Sequence, residues 1–125
     1  MSKILVIEDN PVNMELATDL LEVAGFGVLQ AANAEDGMAL ARAEMPDLIL
    51  MDLSLPGMDG LTATRLLRAD STTAHIPVVV LTANAMKGDE DRAHEAGAIG
   101  YIAKPFDTRH FASHIHAFLK ADGAP

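Results

Sequence analysis

The chain has no cysteine, no tryptophan and one tyrosine, and its nine Lys+Arg face eighteen Asp+Glu among 125 residues. Without cysteine there can be no disulfide scaffold, thiolate zinc site or cysteine nucleophile, and the composition suits a reducing cytoplasm. The five aromatics are Phe26, Tyr101, Phe106, Phe111 and Phe118, so the core must be aliphatic. No apolar run approaches the roughly 20 residues of a membrane span. Met1-Ser2-Lys3 leads straight into a short apolar run, without the long apolar region of a signal peptide. The basic residues are scattered singly in a chain of net charge −9, which argues against nucleic acid as a partner. A membrane partner is likewise not expected.

Half of the residues are apolar, enough for one core in one domain. The expected domain is residues 1–121, with 122–125 as a frayed tail and no room for an output domain. Short apolar runs at Ile4–Ile7, Val28–Gln30, Leu48–Met51, Val78–Leu81 and Ile99–Ile102 read as strands. Leu48–Met51 and Val78–Leu81 are continuously apolar, as in strands covered on both faces.

Helical patterns separate them. Asn10-Pro11 opens the first, which Gly25 closes, and Val12, Leu16, Leu20 and Ala24 are expected to form its buried stripe. The others run from a cap at Asn33 to about Ala43, from Gly60 to Ala69, from Asn84 to Ala96, and from Asp107 to Lys120. The last should bury Phe111, Ile115, Phe118 and Leu119. Alternating strands and helices predict an α/β fold: a five-stranded parallel sheet in the flavodoxin-like order 2-1-3-4-5, with helices on both faces.

Ligands of such sheets bind beyond the carboxyl ends of the strands. Strand one ends in Glu8-Asp9, strand three in Asp52, strand four in Thr82 and strand five in Lys104-Pro105. Strand two, at the edge, ends in Ala31-Ala32. Every polar strand end thus belongs to the four contiguous strands. Three carboxylates in one pocket need a counter-cation, and an all-oxygen site with few ligands suits Mg²⁺. Adding a lysine ammonium and a threonine hydroxyl makes a site fit for a dianionic phosphoryl group.

At these residues the chain resembles the receiver domains of two-component response regulators. The matching stretches are Val6–Asn10, Met51–Gly60, Leu81–Ala83 and Tyr101–Pro105. The resemblance implies that Asp52 accepts a phosphoryl group from a phosphohistidine on a histidine kinase or phosphotransfer protein. It implies that Asp9, Asp52 and the Ser54 carbonyl hold Mg²⁺, with Glu8 assisting through water. Thr82 and Lys104 would bind phosphoryl oxygens, Thr82 and Tyr101 would form the switch, and Ser54 and Asn84 would tune the lifetime of the phosphorylated state. Lys104-Pro105 would be a cis peptide. The stretches His75–Val79 and Thr82–Asp89 look most like single-domain members of the family that act in cell division. Output would pass through contact with a downstream protein target, and the segment Asn84–Glu95, with Gly88 inside it and few large apolar anchors, would be the moving part.

Three other readings are weighed against this one. A haloacid dehalogenase-type phosphatase wants a second Asp two positions after the nucleophile, where this chain has Ser54. A flavodoxin-like electron carrier needs a Ser/Thr/Gly-rich loop after strand one, where this chain has Glu8-Asp9-Asn10-Pro11. A constitutive adaptor has no use for an intact acidic site. His110, His114 and His116 read as a solvated face, because no carboxylate partner is obvious near them in sequence. Met14 and Met86 are candidate exposed contacts.

Overall fold

A computed structural model describes residues 2–83 and 87–121. Strands β1 (Lys3–Ile7), β2 (Gly27–Ala31), β3 (Leu48–Asp52), β4 (Val78–Thr82) and β5 (Gly100–Ala103) alternate with helices α1 (Pro11–Val23), α2 (Ala34–Glu44), α3 (Gly60–Ala69), α4 (Lys87–Glu95) and α5 (Phe111–Ala121). The strands form one sheet in the order β2-β1-β3-β4-β5, and every pairing is parallel. This is the expected α/β topology.

Successive side chains of a strand point to opposite faces, and the core divides accordingly. Ile4, Val6, Leu48, Leu50, Val79, Leu81 and Ile102 pack with Ala17, Leu21, Phe111 and Ile115, so α1 and α5 cover one face. Leu5, Ile7, Ile49, Met51 and Val78 pack with Met38, Ala41, Ala63 and Leu67, so α2 and α3 cover the other. On that second face Val80 meets Ala93 of α4 and the following Ala98, with Tyr101 against them.

The helix ends follow local chemistry. Asn10 caps α1 by accepting from the N–H groups of Val12 and Asn13, with Pro11 at the first helical position. Gly25, at φ +93°, closes α1: its N–H donates to Glu22 O and that of Phe26 to Leu21 O. Gly97 closes α4 with the same pair of bonds, to His94 and Ala93. Asn33 caps α2, and Asp59 caps α3 by accepting from Thr62 N at 2.9 Å.

Two expectations about helices need correction. Val12 is 72 % exposed and is not part of the buried stripe of α1. A four-residue step advances 400° around a helix of 3.6 residues per turn, so each step drifts 40° and the row leaves the sheet. The buried positions are Ala17 and Leu21, with Met14, Leu16, Leu20 and Ala24 packed beside them. The last helix begins at Phe111 rather than Asp107. The Asp107 carboxylate accepts from Arg109 N at 3.1 Å and its carbonyl accepts from both His110 N and Phe111 N, so residues 107–110 form a tight turn. Phe111 and Ile115 are buried as expected, with Phe118 and Leu119 packed alongside. Asn84, Met86 and the tail 122–125 lie outside the described residues.

The Thr62 N–H holds the Asp59 carboxyl below its ordinary value of 3.8. A depressed carboxyl stabilises the fold above the unfolded-state value and loses that contribution as pH falls through the folded-state value. Asp59→Ala should therefore lower stability by about 1 kcal/mol at pH 7. In denaturant titrations of both proteins the gap should narrow once the pH drops below 3.8.

Candidate functional site

Glu8 and Lys104 stand one position past β1 and β5, Asp52 is the last residue of β3, and backbone bonds continue the pairing at each of these three ends. Glu8 N donates to Ala31 O at 3.0 Å, Leu53 N to Leu81 O at 3.0 Å, and Lys104 N to Thr82 O at 2.8 Å. The two-residue alternation of the strands then assigns faces. Glu8 continues the row Ile4–Val6, Asp52 the row Leu48–Leu50, and Lys104 follows Ile102, all on the α1/α5 face. Thr82 continues the row Val78–Val80 and emerges on the opposite face, where α4 lies.

Convergence follows from that placement. Lys104 Nζ stands 2.6 Å from Glu8 Oε1 and 3.2 Å from Asp52 Oδ1. Glu8 and Asp52 are both 2 % exposed, whereas Asp9 is exposed. One carboxylate oxygen from each of the three lies within 4.8 Å of the others. Asn10 N donates to Glu8 Oε2 at 3.1 Å, and Ser54 N donates to Asp52 Oδ1 at 3.1 Å, which turns the chain after β3 around the carboxylate. Gly60 lets α3 start against this turn, because a Cβ there would sit 2.3 Å from the Asp52 carbonyl oxygen. The Lys104–Pro105 peptide is cis.

The electrostatics are those of a site short of positive charge. Burial pushes the Glu8 carboxyl above its ordinary value of 4.5; the Asp52 carboxylate pushes the same way, and Lys104 only partly offsets them. Burial works against the Lys104 ammonium, yet Glu8 and Asp52 hold its pKa above the ordinary 10.5. Glu8 Oε1 touches Lys104 as an ion pair without hydrogen-bond alignment, which leaves a buried oxygen with no hydrogen bond. Three carboxylates and one ammonium leave an excess of two negative charges, the charge of one divalent cation. A hard cation with oxygen ligands fits this donor set, and the exposed Asp9 opens it to solvent.

Thr82 is 4 % exposed and donates its hydroxyl to Asp89 Oδ2 of α4 at 3.3 Å. Asp89 is in turn ion-paired with Arg92, one helical turn on. Neither residue was singled out from the sequence as part of the site; the signal was a carboxylate and an arginine spaced i, i+3 on the helix that follows the Thr82 strand. A groove of about 420 Å³ joins Ser54, Asp59, Leu61, Thr82, Asp89 and Arg92. Tyr101 is half-buried at the edge of the α4 cluster, and Asn84 falls outside the described residues. The last helix also brings a correction. His110 does have a carboxylate partner, since its Nδ1 lies 2.7 Å from Asp107 Oδ2.

The response regulator receiver domain family model matches residues 4–116. The chain belongs to this family. The polar-differentiation response regulator DivK of Brucella anthropi is 42 % identical over 116 residues, covering 93 % of this chain and 94 % of that protein. DivK of Brucella ovis is 41 % identical over the same shares. Among solved structures, a response regulator from Chloroflexus aurantiacus superposes with a TM-score of 0.90 at 30 % identity, covering 94 % of this chain and 97 % of that one. The receiver domain of the sensor histidine kinase PA1611 from Pseudomonas aeruginosa, with magnesium coordinated in its active-site cleft, gives 0.83 at 36 % identity over 97 % and 96 %. As a receiver domain the chain is a two-component signalling protein, and no described helix is long and apolar enough to cross a membrane.

Removing Lys104 strips two buried carboxylates of their cation. Lys104→Met should lower stability by about 3 kcal/mol in the presence of a chelator, as expected for breaking a buried ion pair. Because a divalent cation would answer the same charge deficit, millimolar Mg²⁺ should recover most of that loss in thermal unfolding.

Proposed function

We propose that this receiver takes a phosphoryl group onto Asp52 from a phosphohistidine on a histidine kinase or phosphotransfer protein, and that the modified domain then binds a downstream protein target. The observation that carries this reading is the convergence of Glu8, Asp9 and Asp52, with Lys104 between two of them, at the carboxyl end of the sheet. A carboxylate oxygen of Asp52 attacks phosphorus in line; the O–P bond forms as the P–N bond of the phosphohistidine breaks, and the bonding pair stays on the imidazole nitrogen.

Asp9, Asp52 and the Ser54 carbonyl would hold Mg²⁺, with Glu8 assisting through water; the magnesium in the cleft of the PA1611 receiver supports this assignment. When bound, the ion offsets the excess carboxylate charge and draws phosphoryl oxygens to the site. Lys104 moves its ammonium from the carboxylates onto a phosphoryl oxygen. Thr82 donates its hydroxyl to another, and Tyr101 turns inward behind it. Charge-assisted hydrogen bonds are worth about 1.5–3 kcal/mol each. Two of them approach the roughly 5.5 kcal/mol that inverts a 1:99 equilibrium, with nothing to spare once the contacts Lys104 and Thr82 give up are counted.

The acyl phosphate is lost by self-catalysed hydrolysis, and the protein does not turn over separate phosphoester substrates. Asn84 and Ser54 tune that lifetime. The polar-differentiation response regulators among its relatives support a role in polar differentiation, and we assign the protein to cell-division signalling in the cytoplasm. Incubation with acetyl phosphate and Mg²⁺ should place one phosphoryl group on Asp52, read by mass spectrometry, and a chelator or Asp52→Asn should abolish it. Stoichiometric acid-labile labelling of Asp52→Asn would refute the assignment.

A further inference from the structure

We propose that Asp89 is a positioning residue that restrains the switch, holding the Thr82 hydroxyl on the α4 side of the sheet in competition with the phosphoryl group on Asp52. The proposal rests on the phosphoacceptor reading above and adds the group against which phosphorylation must work. Thr82 leaves β4 in the same row as Val78 and Val80, facing α4, while Asp52 leaves β3 in the row of Leu50, facing α1 and α5. Reaching a phosphoryl group on Asp52 therefore requires the Thr82 hydroxyl to turn across the end of its strand. In the resting arrangement that hydroxyl donates to Asp89 Oδ2 at 3.3 Å. A threonine hydroxyl carries one proton, so it cannot be given fully to both acceptors.

Asp89 is itself held. Its side chain is 13 % exposed and pairs with Arg92, whose side chain is 61 % exposed. Among the described residues, the buried apolar anchor of the helix that carries both is Ala93, a small one. Withdrawing the Thr82 hydroxyl thus removes a polar tie from a lightly anchored helix. Coupling between two sites is reciprocal: whatever bias Asp89 places on Thr82, a phosphoryl group on Asp52 returns to α4. Asp89 and Arg92 would in this way set how readily the domain reaches its phosphorylated arrangement.

The probe is beryllium fluoride with Mg²⁺, which occupies an aspartate as a phosphoryl mimic. Binding is followed by the fluorescence of Tyr101, the one tyrosine in a chain without tryptophan, and occupancy is counted by fluorine NMR. Asp89→Ala should bind the probe about fivefold more tightly, the equivalent of one ordinary hydrogen bond of about 1 kcal/mol. Arg92→Ala should move the affinity the same way by less. In a Thr82→Ala background Asp89→Ala should change nothing, because the hydroxyl it restrains is gone. Asp89→Asn, which keeps the shape of the side chain, should tighten binding in part and stands in if the alanine variant does not fold. Equal affinities for wild type and both Asp89 variants would overturn the proposal. So would an undiminished gain in the Thr82→Ala background, which would assign the effect to loss of negative charge alone. If wild type fails to bind the probe, or Asp52→Asn binds it equally, the phosphoacceptor reading itself falls, and the restraint with it.

Discussion

Two buried carboxylates share one ammonium at the carboxyl end of this sheet, and most of the molecule's design follows from that shortage. Like charges brought together in a low-dielectric site oppose each other's ionisation. The Glu8 carboxyl is raised and the Lys104 ammonium is pinned between Glu8 and Asp52. The fold tolerates the arrangement because backbone holds those residues in place: strand pairing continues past the ends of β1, β3 and β5, and α3 seats its first glycine against the Asp52 carbonyl. A site built this way has an appetite for positive charge that the chain itself does not satisfy. A divalent cation is the kind of group that would answer it.

The same sheet separates chemistry from readout. Side-chain alternation puts Glu8, Asp52 and Lys104 over α1 and α5, while Thr82 and Tyr101 leave the sheet toward α4. On the proposed reading, a phosphoryl group on Asp52 would act across that divide by drawing the Thr82 hydroxyl around the end of β4. The helix it leaves is the one with the smallest apolar anchor, so a change of about one hydrogen bond is large compared with what holds it. The other four helices are packed by leucine, isoleucine, methionine and phenylalanine. Only α4 couples a polar tie to a small contact area.

Much of this was legible in the residues alone. Continuous apolar runs at β3 and β4, the glycine at the end of α1, and the asparagine caps of α1 and α2 are local signals that local physics enforces, and they stand where expected. The exceptions share a cause. The four-residue row beginning at Val12 drifts off the buried side because helix geometry, and not spacing in the chain, decides which residues face the sheet. The last helix starts late because Asp107 spends its carboxylate and carbonyl on a turn. Its contact with His110 went unforeseen because it depends on how that turn folds back.

Sequence by itself determined the strand order, the family and the set of residues that end the central strands, because strand-end position is a property of the chain and parallel pairing gathers those ends. Tertiary structure alone decided which helices cover each face, that Lys104 lies between Glu8 and Asp52, and that Thr82 reaches Asp89 rather than Asp52. The Lys104 contacts turn on distances of about 3 Å between residues tens of positions apart, and the Thr82 contact on how α4 packs back over the end of β4. No periodicity records such distances; they exist only once the sheet is closed and its helices are packed.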